Sequence, residues 1–98
     1  MDTITLQEEY LTYTKKILPS LAQQHHWVVR YDHCFQRIIL DTLFGACWYD
    51  KVKQRPAYKQ LSSKQLQQAL RIARDIERDG DEYLRQLNVQ SLQWRNKL

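Results

Sequence analysis

The sequence predicts an all-α fold, a single compact four-helix domain over residues 1–98. Three observations predict it. The chain has only two glycines and two prolines, so few positions favour a turn over a helix. Apolar residues recur at helical spacing in four separate stretches. The one β-branched and aromatic run, "HHWVVRY", has no second run to pair with as a strand.

The first helix is predicted to begin near Thr5, where "TLQE" reads as a capping box between Thr5 and Glu8. Leu6, Tyr10, Tyr13, Ile17 and Leu21 then share one face. Pro19 should kink this helix or end it at Leu18. An extended connector follows over about 25–31, with Trp27 and Val28 expected to plug the core.

The second helix is predicted to start at Asp32 as N-cap and to run to about Phe44, where Gly45 can terminate it. Phe35, Ile38, Ile39, Thr42 and Leu43 cover one side, and Leu40 and Phe44 widen it. Only a narrow wedge stays polar: His33, Arg37 and Asp41, with Cys34 at its edge. A helix apolar nearly all round is buried, so this one is predicted to be the centre of the domain.

A basic connector over about 46–61 comes next, with a short helix at its start. Pro56 disfavours helix at Arg55 before it. The third helix begins after Ser62, whose capping box is with Gln65. Leu66, Ala69, Leu70, Ala73 and Ile76 form its apolar side; Lys64, Arg71, Arg74 and Arg78 gather opposite. Gly80 closes it. Asp81 can cap a fourth helix through Tyr83, Leu84 and Leu87. A separate last turn is then expected from Asn88 or Ser91, carrying Leu92 and Trp94.

Composition narrows the function classes. The chain is 43% hydrophobic and 27% charged, the mix of a soluble globular protein. No apolar run approaches the roughly 20 residues that span a bilayer. The start "MDTITLQEEY" lacks the basic and apolar stretches of a signal peptide. The expectation is a cytoplasmic protein with no membrane partner. Two cysteines, Cys34 and Cys47, do not make a disulfide framework. The net charge is +4, spread unevenly: residues 1–50 carry four basic and six acidic groups, residues 51–98 eleven and five. No acid lies between Lys51 and Arg74. Such a band can face an anionic partner.

The eye-catching pair His33–Cys34 cannot work as a dyad. Neighbours on a helix point about 100° apart, and a nucleophile needs its base within hydrogen-bond reach. The histidines and cysteines also lack the paired spacing of a zinc site, so neither a metal nor a cofactor is expected. His33, Arg37 and Asp41, by contrast, stand at i, i+4 and i+8 on one face. They read either as a partly buried ion pair or as an anion site. In the second reading Arg37 clamps a carboxylate or phosphate, Asp41 orients it and His33 donates a proton. Arg55, Tyr31, Tyr49 and Tyr58 can complete such a pocket from the connectors.

The expected function is binding, of a small anionic ligand or of a protein partner, its own copy included. The alternative is a small enzyme with His33 and Tyr49 or Tyr58 as acid–base groups on an anionic substrate. A weaker expectation is nucleic-acid binding on the basic face of Lys64, Arg71, Arg74 and Arg78. There Asp75 and Asp79 share the face and can pair with it.

Over about Trp27 to Arg95 the strings "DHCFQRIILD", "CWYD", "RPAYKQL" and "LNVQSLQWR" resemble a family of short helical bacterial proteins, cyanobacterial ones among them. These commonly carry the label GNAT-type acetyltransferase. The label implies a mixed α/β fold of roughly 140 residues or more. It also implies a glycine-containing loop that holds a pyrophosphate at a helix N-terminus. This chain has glycine only at 45 and 80, with no Q/R-x-x-G-x-G/A string and no strand series. Coenzyme A binding is therefore not assigned to it.

Overall fold

A computed structural model describes residues 2–96; residues 1, 97 and 98 of the predicted domain lie outside the described residues. The first helical rod is made of three pieces that follow one another directly: α1 (Thr3–Thr12), a π-helical segment (Tyr13–Ile17) and α2 (Leu18–His25). It starts two residues before the predicted Thr5. Asp2 is the cap, its Oδ1 accepting the Thr5 N–H at 2.7 Å.

Nor does the rod stop at Leu18. The Leu18 N–H reaches back five residues to the Tyr13 carbonyl, and helix resumes through Pro19. This π segment also explains which side chains are buried. Leu6, Tyr10, Thr14, Leu18 and Ala22 line the core. They recur at every fourth residue, a spacing that drifts about 40° per step round an uninterrupted α-helix. The wider π turn takes back part of that drift, so Leu18 and Ala22 return to the face of Leu6 and Tyr10. The predicted Tyr13, Ile17 and Leu21 sit half-buried at its border instead.

The rod ends at His26 in the left-handed conformation (φ 56°). Trp27 then plugs the core as expected, packed edge-on against Phe35 at 6.4 Å. Val28 does not; it is exposed, and its N–H is pinned to Asp81 Oδ1 at 2.9 Å. Extended backbone sends alternate side chains to opposite sides, and it is Val29 that packs on the core.

α3 (Asp32–Phe44) is the predicted central helix, with Phe35, Ile38, Ile39, Leu40 and Asp41 buried. Its N-cap is Tyr31 rather than Asp32. Asp32 opens the first turn, where it accepts the His33 N–H at 2.8 Å and Lys15 Nζ at 3.1 Å. Gly45 ends the helix at φ 64°. The basic connector holds two 3₁₀ turns, Trp48–Asp50 and Ala57–Gln60. α4 (Ser63–Asp79) carries the Ser62–Gln65 capping box with both hydrogen bonds formed, and Gly80 closes it.

α5 (Asp81–Trp94) runs without a break through Asn88 and Ser91. The predicted last turn does not exist as a separate element, because the polar side chains at those positions bond across to α3 rather than to their own backbone.

Cross-links fix the helix directions. Thr3 meets Ser63, Arg74 pairs with Glu9, and Tyr13 donates to Glu77. The numbers rise together, so α1 and α4 lie parallel. Arg37 bonds Asn88 and Ser91, while Asp41 bonds Ser91 and Arg95; α3 and α5 are parallel too. Among the described residues there is no strand. The Cα radius of gyration is 12.6 Å, against about 13 Å for a compact domain of this length. No helix of the described residues is long and apolar enough to cross a membrane.

Candidate functional site

The polar stripe of α3 changes character along its length. His33 is open, its side chain 77% exposed, with the ring stacked parallel on Tyr31 at 5.8 Å. Arg37, one turn on, is partly covered. Asp41, a turn further, is sealed at 0% exposure.

Asp41 is sealed because α5 and the connector close over it. Arg95 Nε and Nη2 donate to Oδ2 and Oδ1 at 2.7 and 3.1 Å, a two-pronged pair. The Ser91 hydroxyl donates to Oδ2 at 2.6 Å, and the Trp48 backbone N–H to Oδ1 at 2.8 Å. A buried carboxylate needs this density of partners, since desolvation alone would make it very costly. The Asp41 hydrogen bond holds Arg95 above its ordinary arginine value. The Arg95 guanidinium also lies 5.0 Å over the Tyr49 ring, a cation–π contact that further fixes the C-terminal turn.

Arg37 does not touch Asp41 directly. Its Nη1 donates to Ser91 Oγ and its Nη2 to Asn88 Oδ1, both at 2.7 Å. Ser91 thus stands between them: its hydroxyl accepts from Arg37 and donates to Asp41. Burial, first of all, pushes Arg37 below its ordinary value, and nearby Arg95 adds to it; the guanidinium stays charged, since arginine does not lose its proton in proteins.

Above this anchored arginine opens a cleft of about 500 Å³. His33, Gln36 and Arg37 of α3 form one wall, with Leu40 at its base. Trp48, Arg55, Pro56 and Ala57 of the basic connector form the other. The Arg55 guanidinium lies 5.1 Å over the Trp48 ring. Asp41 sets both walls without lining the cleft. It fixes Arg37 through Ser91, and it fixes the turn that presents Trp48 through the Trp48 N–H.

The structure therefore brings His33, Arg37 and Arg55 together. Asp41 lies beneath them, out of reach of any ligand. Tyr49 and Tyr58 are not among the residues lining the cleft: Tyr49 is turned to Arg95, and Tyr58 stacks on Tyr10 at 6.2 Å. The nearby Cys47 sulfur, chiefly, pushes the Tyr49 hydroxyl above its ordinary value. Cys34 is half-buried and Cys47 buried, both as free thiols. Among the described residues no three or more His, Cys, Asp or Glu side chains converge on one point.

On α4, the basic face is partly neutralised. Arg74 pairs with Glu9, and Arg78 pairs with Asp75 at 3.2 Å and Asp79 at 3.0 Å. Lys64 and Arg71 are exposed on the same helix.

Sequence reasoning missed Asn88, Ser91 and Arg95. Their signal was present in "LNVQSLQWR", polar groups at i, i+3 and i+7 on one helical face. Placing a helix break at Asn88 or Ser91 hid it. Compared with protein-family models, curated proteins and solved structures, the chain matches none. The family resemblance accordingly rests on the quoted sequence strings alone.

Proposed function

We propose that this protein acts by binding, and that the cleft between α3 and the basic connector takes a planar group bearing an anionic substituent. One observation carries the reading: Arg37 is held by two hydrogen bonds from its guanidinium to α5 while it also lines a largely apolar cleft. An arginine already fixed in place loses little freedom on binding, and preorganisation of this kind favours affinity. The rest of its planar fork suits a carboxylate or phosphate. Arg55 on Trp48 supplies a second cation and a flat aromatic surface for the body of the ligand,. His33 stands at the rim as a further donor. A catalytic role has less support, since neither Tyr49 nor Tyr58 lines the cleft with His33.

The test is a thermal-shift titration with phenyl phosphate and benzoate, with phenol and inorganic phosphate as partial probes. The two complete probes should raise the melting temperature, and each partial probe should do less. Arg55→Gln, at an exposed position, should leave the melting temperature of the free protein unchanged and diminish the shift. No shift with any probe, or a shift indifferent to Arg55→Gln, removes the reading.

A further inference from the structure

The cleft has a neighbour. Lys15 and Lys16 of the π segment, with Arg30 and Tyr31 of the first connector, line a second concavity of about 420 Å³. The two hollows meet at one aromatic pair, because Tyr31 lines one and His33 lines the other. Their rings are stacked within 4° of parallel at 5.8 Å, and both are open to solvent: Tyr31 is 66% exposed and the His33 side chain 77%.

The charged side chains that line the two hollows are all basic. Asp32 sits beside the aromatic pair, where it holds Lys15 at 3.1 Å and lies 3.8 Å from His33 Nδ1. Lys15 and Asp32 thus answer each other. Lys16, Arg30, Arg37 and Arg55 form no ion pair with any described residue. On α4, in contrast, Arg74 and Arg78 are already paired. Basic side chains without a direct ion pair thus line both hollows, with the exposed Tyr31–His33 stack between them.

We propose that this track binds single-stranded nucleic acid. Phosphates would follow Lys16 and Arg30 into the cleft of Arg37 and Arg55, and bases would rest on the Tyr31–His33 pair and on Trp48. Basic grooves interleaved with aromatic faces are how proteins hold single strands without reading sequence. A small anion would use one hollow only, and would leave the second hollow and the exposed platform unused. The proposal rests on the cleft reading for one of its ends and names the class of ligand there.

Fluorescence anisotropy with a labelled 12-nucleotide oligouridine tests it on the full chain. Four phosphate contacts give a log–log salt slope of about −3, so binding should weaken about 50-fold between 50 and 200 mM salt. The double variant Lys16→Glu/Arg30→Glu lies outside the cleft at exposed positions. It should weaken binding and bring the slope to about half, leaving the phenyl phosphate shift intact. Tyr31→Ala should weaken the oligonucleotide about tenfold with the same slope.

Three results would overturn the proposal: no binding at 50 mM salt, a duplex of equal length bound as tightly as the single strand, or polyglutamate competing as well as unlabelled oligouridine. If any of these occurs while phenyl phosphate still shifts the melting temperature, the nucleic-acid track is wrong and the cleft stands. If phenyl phosphate fails as well, both fall.

Discussion

The two ends of the α3 stripe are polar side chains on one helical face with opposite surroundings. Asp41 and His33 stand two helical turns apart on one face. Asp41 is wholly enclosed and receives hydrogen bonds from Arg95, Ser91 and the Trp48 backbone. His33 is open and stacked on an exposed tyrosine. Arg37 lies between them in both position and environment, tied to α5 on one side and facing a cleft on the other. A polar stripe on a buried helix thus need not be enclosed along its whole length. Here the sealed end holds Arg37, through Ser91, and the turn that presents Trp48.

The largest effect should come from the sealed end. Asp41→Ala leaves Arg95 charged and nearly buried, its side chain 14% exposed, without its partner. Breaking one side of such a pair costs about 3–5 kcal/mol, a large share of the about 5–15 kcal/mol that holds a small domain. Urea denaturation measures it directly. A loss below about 1 kcal/mol would mean that the enclosure relaxes easily and that the two ends do not differ as described.

Ser91→Ala should come next. It removes the acceptor of one Arg37 bond and the donor of one Asp41 bond, at a cost of about 1–3 kcal/mol. In a double-mutant cycle with Arg37→Ala the two changes should couple by at least about 0.5 kcal/mol. Strict additivity would show that Ser91 does not link the cleft to the buried carboxylate.

A smaller and opposite effect is expected at Tyr10, which sharpens the contrast between buried groups with and without partners. Its hydroxyl is enclosed and has no hydrogen-bond partner among the described residues. Burial pushes its ionisation above the ordinary value of 10.0. Burial disfavours the ionised form in the fold. The Tyr10 contribution to stability is whole below pH about 10 and falls as pH rises beyond that, where the unfolded chain ionises this tyrosine more readily than the folded one. Tyr10→Phe should therefore raise stability by about 1 kcal/mol at neutral pH and flatten the alkaline side of the pH–stability curve. A decrease in the melting temperature would mean that the hydroxyl is satisfied after all.

Much of this was legible in the residues because the signals were local. The Ser62–Gln65 capping box, the helix-ending glycines 45 and 80, and the apolar faces of α3 and α4 each lie within a few positions of one another. The stripe at 33, 37 and 41 was legible for the same reason. What escaped were local choices that spacing does not rank and features that depend on partners far along the chain. The π segment shifts the buried face of the first rod by an amount that no fixed period encodes. Asp2 and Thr5 compete to cap α1, and spacing does not rank them. The Asp41–Arg95 pair joins residues on separate helices. Its counterpart stripe on α5 could be seen only if that helix was read as continuous through Asn88 and Ser91. The cleft follows from where the connector lies, which composition does not dictate.

The account's central claim is the gradient itself, and one set of urea midpoints for His33→Ala, Arg37→Ala and Asp41→Ala tests it most directly. The predicted losses rise along the helix. They are within about 0.5 kcal/mol for the exposed His33, about 1–3 kcal/mol for Arg37 with its two bonds to α5, and about 3–5 kcal/mol for Asp41. Equal losses at all three positions, or a His33→Ala variant as unstable as Asp41→Ala, would contradict it.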